Sequence, residues 1–238
     1  MFTKIGNPLS LSKQIARDIE KSILEKKFIP GQKLPTEMEL CDMFDVSRTA
    51  LREAIKMLSS RGLITVKKGS GIFVEDYSAT NVTKPMQLFL ELNLDKEYLK
   101  HIIEVRKLLE PQIVRLAAVK KNDRDIAEME KILQDLNDCP KDNFEKEGML
   151  DRNFHLALAK AAGNPMVPMI LEPIFQLMPK IKMLIYSKVE NAKKAAELYH
   201  EKIFVCIKKG DADGAAQAMK EHLRIAEQHS TEIEEELW

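Results

Sequence analysis

The chain has 238 residues, long for one domain and comfortable for two. With 45% hydrophobic and 31% charged residues it reads as a globular protein; no apolar run is long enough to span a bilayer, and the opening MFTKIGNPLS lacks a signal-peptide core, so a cytoplasmic location without a membrane partner is expected. Net charge is zero, and the three scattered cysteines, Cys41, Cys139 and Cys206, have no C-x-x-C spacing, which argues against a disulfide framework or a cysteine zinc site.

The first 76 residues carry 13 Lys+Arg against 10 Asp+Glu, an excess that permits nucleic-acid binding without arguing for it. The order of elements makes the stronger case. Residues 10–27, SLSKQIARDIEKSILEKK, place Leu11, Ile15, Ile19 and Ile23 on one helical stripe, which IPGQKLP then ends. In TEMELCDMF, Thr36 and Glu39 have the spacing of a capping box. After the short turn DVS, Ser47 is a suitable N-cap for RTALREAIKMLSSRG, which closes at Gly62. LITVKKGSGIFV reads as two short strands joined by a glycine-containing turn. Three helices and a hairpin predict a winged helix-turn-helix over residues 1–75, with Ser47, Arg48, Thr49 and Arg52 leading the recognition helix into the major groove. Arg48 and Arg52 stand one turn apart and have the side chain that grips guanine bidentately. Lys67, Lys68 and Gly69 at the wing tip suit phosphate or minor-groove contact. Taken singly, Arg48 and Arg52 read equally well as surface charges, with Arg52 paired to a nearby acid; the complete pattern is much more specific.

LPTEMELCDMFDVSRTALREAIKMLSSRGLITVKKGSGIFV resembles the DNA-binding domain of GntR-type bacterial transcription regulators, through Leu34-Pro35, Ser47-Arg48-Thr49, Leu51-Arg52-Glu53-Ala54 and Gly62-Leu63-Ile64. One departure is Met38, where that family usually has an arginine that touches the operator.

Residues 76–85 are polar and aperiodic and read as a linker. From there residues 86–238 are helical throughout. Helices are expected at Lys84–Glu91, Lys96–Val119, Asp123–Leu136, Asn143–Ala162, Pro165–Ser187, Glu190–Lys209 and Ala212–Glu236. The fold class is therefore mainly α, an N-terminal winged helix-turn-helix followed by an all-α bundle of six to seven helices.

Five histidines are present, and three fall on inward stripes. Asp151 and His155 stack at i, i+4 on one helix face. His200 and His222 each lie 11 residues from Asp211, in the turn between the last two helices. Antiparallel neighbours would therefore hold them at one height, about 15 Å from that turn. His200 shares its stripe with Ala196, Ile203, Phe204 and Ile207; His222 shares its own with Ala215, Met219 and Ala226. A lone histidine on an apolar face is more often a hydrogen-bonded core residue than a ligand. Three histidines with an aspartate would leave several buried groups unsatisfied unless they share a partner, and helix bundles build metal sites from facing helices in this way. His101 and His229 are left over, at the surface or rim.

The segment from Lys96 onward resembles the C-terminal ligand-binding (FCD) domain of the FadR branch of GntR regulators, through EVRKLLEPQIVRLAA, DRNFHLALAKAAGNP and YHEKIFVCIKKGDADGAAQAMKEHL. That resemblance implies metal ligands at Asp151, His155, His200 and His222, and effectors that are small organic acids. Three imidazoles and one carboxylate suit Zn, Ni, Fe or Mn. Arg106 is a candidate for the far end of a carboxylate effector; equally, it forms an exposed Arg106–Glu110 pair. The expected function is a DNA-binding transcriptional regulator, a repressor acting as a homodimer on operator DNA. The alternatives are an acyl-CoA-responsive regulator without metal and a metal-dependent hydrolase. The second lacks a dedicated base, so an enzyme is not expected.

Overall fold

A computed structural model describes residues 9–140, 142–189 and 191–232. The chain divides into two compact units, Met1–Asn81 and Val82–Trp238.

In the first unit, α1 (Leu11–Leu24), α2 (Glu37–Phe44) and α3 (Arg48–Ser60) precede the antiparallel hairpin of β1 (Ile64–Lys67) and β2 (Gly71–Val74). Pairing runs from Ile64 opposite Val74 to Lys67 opposite Gly71, and Lys33 adds a one-residue bridge to Phe73. The capping box forms as its spacing predicts: Glu39 N donates to Thr36 Oγ1 at 3.3 Å, and Thr36 N donates to Glu39 Oε2 at 2.7 Å. Asp45 closes α2 in the left-handed region at φ 50°, and Ser47 caps α3 by accepting from Ala50 N at 3.3 Å. Ile15 and Ile19 of α1, Leu51, Ala54 and Leu58 of α3, and Ile64, Ile72 and Val74 of the hairpin close one apolar cluster. The recognition helix is thus fixed from behind and leaves its first turn outside.

In the second unit, α4 (Thr80–Leu92), α5 (Lys96–Lys120), α6 (Asp123–Asn137), α7 (Phe144–Ala161), α8 (Met166–Phe175), α9 (Met178–Lys188), α10 (Ala192–Lys209) and α11 (Ala212–Glu232) follow in order. Two differences from the expected helices have physical causes. The span expected as one helix over Pro165–Ser187 is two, α8 and α9, because Pro179 near the start of α9 has no N–H to continue the hydrogen-bond ladder. The first helix opens at Thr80 and not at Lys84, so it takes up the second half of the stretch read as linker. Polar residues hid it: Ser78 N donates to Asn81 Oδ1 at 3.2 Å at its start. Glu190 and residues 233–236, assigned to the last two expected helices, lie outside the described residues.

The bundle contains two apolar clusters. One joins the C-terminal half of α5 to α6, α7, α10 and α11, through Val114, Met129, Phe154, Ile203 and Met219. The other joins the N-terminal half of α5 to α7, α8 and α9, through Ile102, Ala159, Leu171, Phe175 and Ile181. Along α5, Arg106 and Glu110 lie between Ile103 of one cluster and Val114 of the other. No helix among the described residues is long and apolar enough to cross a membrane.

Candidate functional site

Two sites stand on the two units. On the first, Ser47, Arg48, Thr49 and Arg52 are exposed at the start of α3, and Lys67, Lys68 and Gly69 are exposed at the hairpin tip. Arg52 lies only loosely beside Glu37, Nε to Oε1 3.9 Å, with its side chain 67% exposed. A pair so open contributes little, so the guanidinium is available to another partner. Gly69 turns the wing at φ 76°, and the Lys67 ammonium lies over the Phe73 ring at 5.0 Å. Met38 is exposed on α2.

On the second, three helices bring four buried polar groups together. Asp151 and His155 come from α7, His200 from α10 and His222 from α11, and none is more than 2% exposed. The α10–α11 turn sets the height of the last two. Gly210 ends α10 at φ 79°, Asp211 Oδ1 accepts from Gly214 N at 2.8 Å, and the two imidazole centroids stand 4.7 Å apart. His155 is 5.4 Å from His200 and 5.2 Å from His222, centroid to centroid. One ring nitrogen from each of the three lies within 4.8 Å of the others. Asp151 borders the trio, Oδ1 3.5 Å from His200 Nε2 and Oδ2 4.0 Å from His155 Nε2. The Phe154 and Phe175 rings wall the cluster, at 4.6 Å from His200 and 5.6 Å from His155.

Five buried side-chain polar atoms among the described residues have no hydrogen-bond partner, and four belong to this cluster: Asp151 Oδ2, His200 Nδ1 and Nε2, and His222 Nε2. Each such atom costs about 1–3 kcal/mol; one ring nitrogen of each histidine can reach a common partner bordered by Asp151, which these unpaired atoms call for. Burial pushes His200 down to about 3 and His222 well below its ordinary range, leaving both neutral. Burial works against the Asp151 carboxylate, but Lys182, ahead of the histidines and Arg106, holds it well below the usual range. Neutral imidazoles and an ionised carboxylate are the protonation states of metal ligands, so the donor set fits a divalent transition ion.

Three neighbours escaped sequence reasoning. Glu110 Oε2 lies 2.6 Å from His155 Nδ1, which turns the other ring nitrogen toward the cluster. Lys182 Nζ lies 3.0 Å from Asp151 Oδ1, and Tyr186 donates to the same oxygen at 3.4 Å. Burial, then Asp151, pushes the Tyr186 phenol well above its ordinary range, so it stays protonated and donates. The spacing signal for Lys182 was its place on the apolar stripe of Met178, Ile181 and Ile185.

Arg106 requires a correction. The exposed Arg106–Glu110 pair is instead a buried one: Arg106 Nε donates to Glu110 Oε1 at 2.5 Å, and both residues are 2% exposed. Helix α5 packs against α7, α10 and α11 and so has no open face there. Arg106 Nη2 also stands 3.4 Å from His155 Nε2, so the guanidinium borders the cluster. His101 is exposed beside Glu104, 3.6 Å away, while His229 lines a cleft with Lys182, Tyr186 and His222.

Residues 11–74 match the model of "Bacterial regulatory proteins, gntR family", and residues 101–225 match the FCD domain. The chain is 31% identical to the HTH-type transcriptional regulator LutR of Bacillus subtilis, covering 83% of this chain and 91% of LutR. It is 30% identical to the galactonate operon transcriptional repressor of Escherichia coli, covering 88% of this chain and 92% of that protein. Among solved structures, Streptococcus agalactiae GntR superposes with a TM-score of 0.71 at 30% identity, covering 91% of this chain and 99% of that one. These relatives are regulators and not enzymes, which removes the hydrolase alternative. The protein belongs to the GntR family of bacterial regulatory proteins, a DNA-binding transcriptional regulator with an FCD domain.

Proposed function

We propose that this regulator is a repressor that binds operator DNA as a homodimer in the cytoplasm and is controlled by a small carboxylate at a metal centre in its helical domain. The observation that carries the second half is the convergence of unpartnered Asp151, His200 and His222 atoms beside His155, sealed from water. Asp151, His155, His200 and His222 would hold Zn, Ni, Fe or Mn, and an ion that takes more than four donors would offer its remaining positions to an anionic ligand. Glu110 orients His155, Tyr186 and Lys182 orient Asp151, and Arg106 adds positive charge beside the ligand. The name of the galactonate operon repressor refers to a hydroxy carboxylate, which supports the effector class. A centre filled with charged and imidazole groups disfavours a fatty-acyl tunnel, so the acyl-CoA alternative is the weaker one. At the other end of the molecule, Arg48 and Arg52 would read bases, while Lys67, Lys68 and Gly69 hold the backbone.

Elemental analysis of the wild type and His200→Ala after metal-supplemented purification tests the centre. Near one ion per chain in the wild type and far less in the variant is expected. Equal metal in both, or none in either, refutes the metal reading while leaving the DNA-binding unit untouched.

A further inference from the structure

We propose that Lys182 sets the charge of the ligand: this centre takes a small anion bearing two negative charges, of the dicarboxylate class. The inference rests on the metal reading above and adds to it a selection rule. Lys182 is 4% exposed, yet its ammonium ends 3.0 Å from Asp151 Oδ1 and 3.3 Å from the Tyr186 hydroxyl. It also lines the cleft that runs between α9, α10 and α11 to His222, past the small side chains of Ala192 and Ala196. Lys182 and His222 therefore line the same cleft.

The buried charges around the centre already balance. Arg106 offsets Glu110 and Lys182 offsets Asp151. Beyond them, Lys193 is in ion contact with the Glu147 carboxylate, so that pair is neutral as well. With neutral imidazole ligands, a divalent ion leaves this set with two uncompensated positive charges in a site walled by Phe154 and Phe175. Uncompensated charge in such surroundings is costly, and a single carboxylate removes only half of it. Were Lys182 a neutral residue, Asp151 would cancel one of the ion's charges and a singly charged ligand would finish the balance. The lysine is therefore what makes the loaded site demand a dianion.

The test uses the full chain with Ni²⁺ as metal, and malonate against malonamate as probes. These are similar chelating molecules that differ by one charge. Lys182→Met and Lys182→Gln both remove the ammonium, and the glutamine keeps a polar end for Asp151 and Tyr186 should the methionine variant fail to fold. In calorimetric titration, both variants should bind Ni²⁺ at least about tenfold more tightly than wild type, because a like charge beside the ion is gone. Nickel-loaded wild type should prefer malonate to malonamate by about tenfold or more, and that preference should fall several-fold in both variants. Nickel affinity that is unchanged or weaker in the variants overturns the role of Lys182. So does an undiminished malonate preference, or a nickel-loaded wild type that binds neither probe. A wild type that binds no Ni²⁺ refutes the metal centre itself, a different failure read in the first titration.

Discussion

Glu110→Gln isolates a fully buried ion pair in the helical bundle. The side chain keeps its shape and loses its charge, so the buried Arg106 guanidinium loses its ion-pair partner and His155 Nδ1 its charged acceptor. Burial opposes ionisation of Glu110, but Arg106 and then His155 hold it at about 2 against the ordinary 4.5. That gap corresponds to about 3 kcal/mol of folding free energy, of the same order as the roughly 3–5 kcal/mol lost when one partner of a buried pair is removed. Both sides are fully buried, so solvent screening takes little from it. For a domain of this size the loss lowers Tm by roughly 6–12 °C. The sign of the pH dependence follows from the direction of the shift. A carboxylate depressed in the folded state stabilises above its unfolded value, and the stabilisation fades as pH falls from about 4.5 toward 2. Urea unfolding of metal-free wild type and Glu110→Gln, followed by far-UV circular dichroism, should give a constant difference from pH 7 to pH 5.5 and a shrinking one below about pH 4.5. A difference under about 1 kcal/mol at pH 7, or one that does not shrink in acid, would refute the buried-pair account.

Three further outcomes are expected. Arg48→Ala and Arg52→Ala should each cost roughly 1–3 kcal/mol at the cognate operator, whereas Lys67→Ala should weaken all duplexes alike and flatten the salt slope; operator titrations at two salt concentrations separate them. Gly148→Ala places a Cβ 2.7 Å from Pro179 Cα and 2.8 Å from Pro179 O, backbone atoms that cannot step aside, so α7 and α9 must separate. A loss of about 2 kcal/mol or more is expected in thermal unfolding, and a neutral result would mean that the helices do not pack this closely. Thr36→Ala removes the capping box of α2 and should cost about 1 kcal/mol; an unchanged Tm would show the cap to be redundant.

Sequence reasoning reached furthest where one side chain acts on its own backbone neighbourhood. Thr36, Glu39 and Ser47 could be placed at helix ends from spacing alone, because capping involves only adjacent residues. The equal offsets of His200 and His222 about Asp211 worked for a related reason: a tight turn between two long helices leaves no freedom of register. The misreadings concern environment. Arg106 and Glu110 show the same i, i+4 spacing on a surface helix and on a buried one, and only the packing of α5 among α7, α10 and α11 tells them apart. A lysine among Met178, Ile181 and Ile185, as Lys182 is, resembles an ordinary boundary residue until Asp151 arrives from another helix. Pro179 sits inside a long apolar run, where its effect on the hydrogen-bond ladder outweighs periodicity.

The two apolar clusters of the bundle have a consequence for exchange with solvent. Helices α8 and α9 belong to one cluster only, whereas α5 and α7 contribute to both. The α8–α9 pair is held to the rest by its share of that cluster, by the Gly148–Pro179 approach, and by the Lys182 and Tyr186 contacts to Asp151. Opening that pair exposes less apolar surface than unfolding the bundle, so its amides should trade deuterium at a lower free energy than those of α7 and α11. An occupant gripped at Asp151 and His155 would restrain this opening, and the protection it added should appear first in α9, at the amides around Lys182.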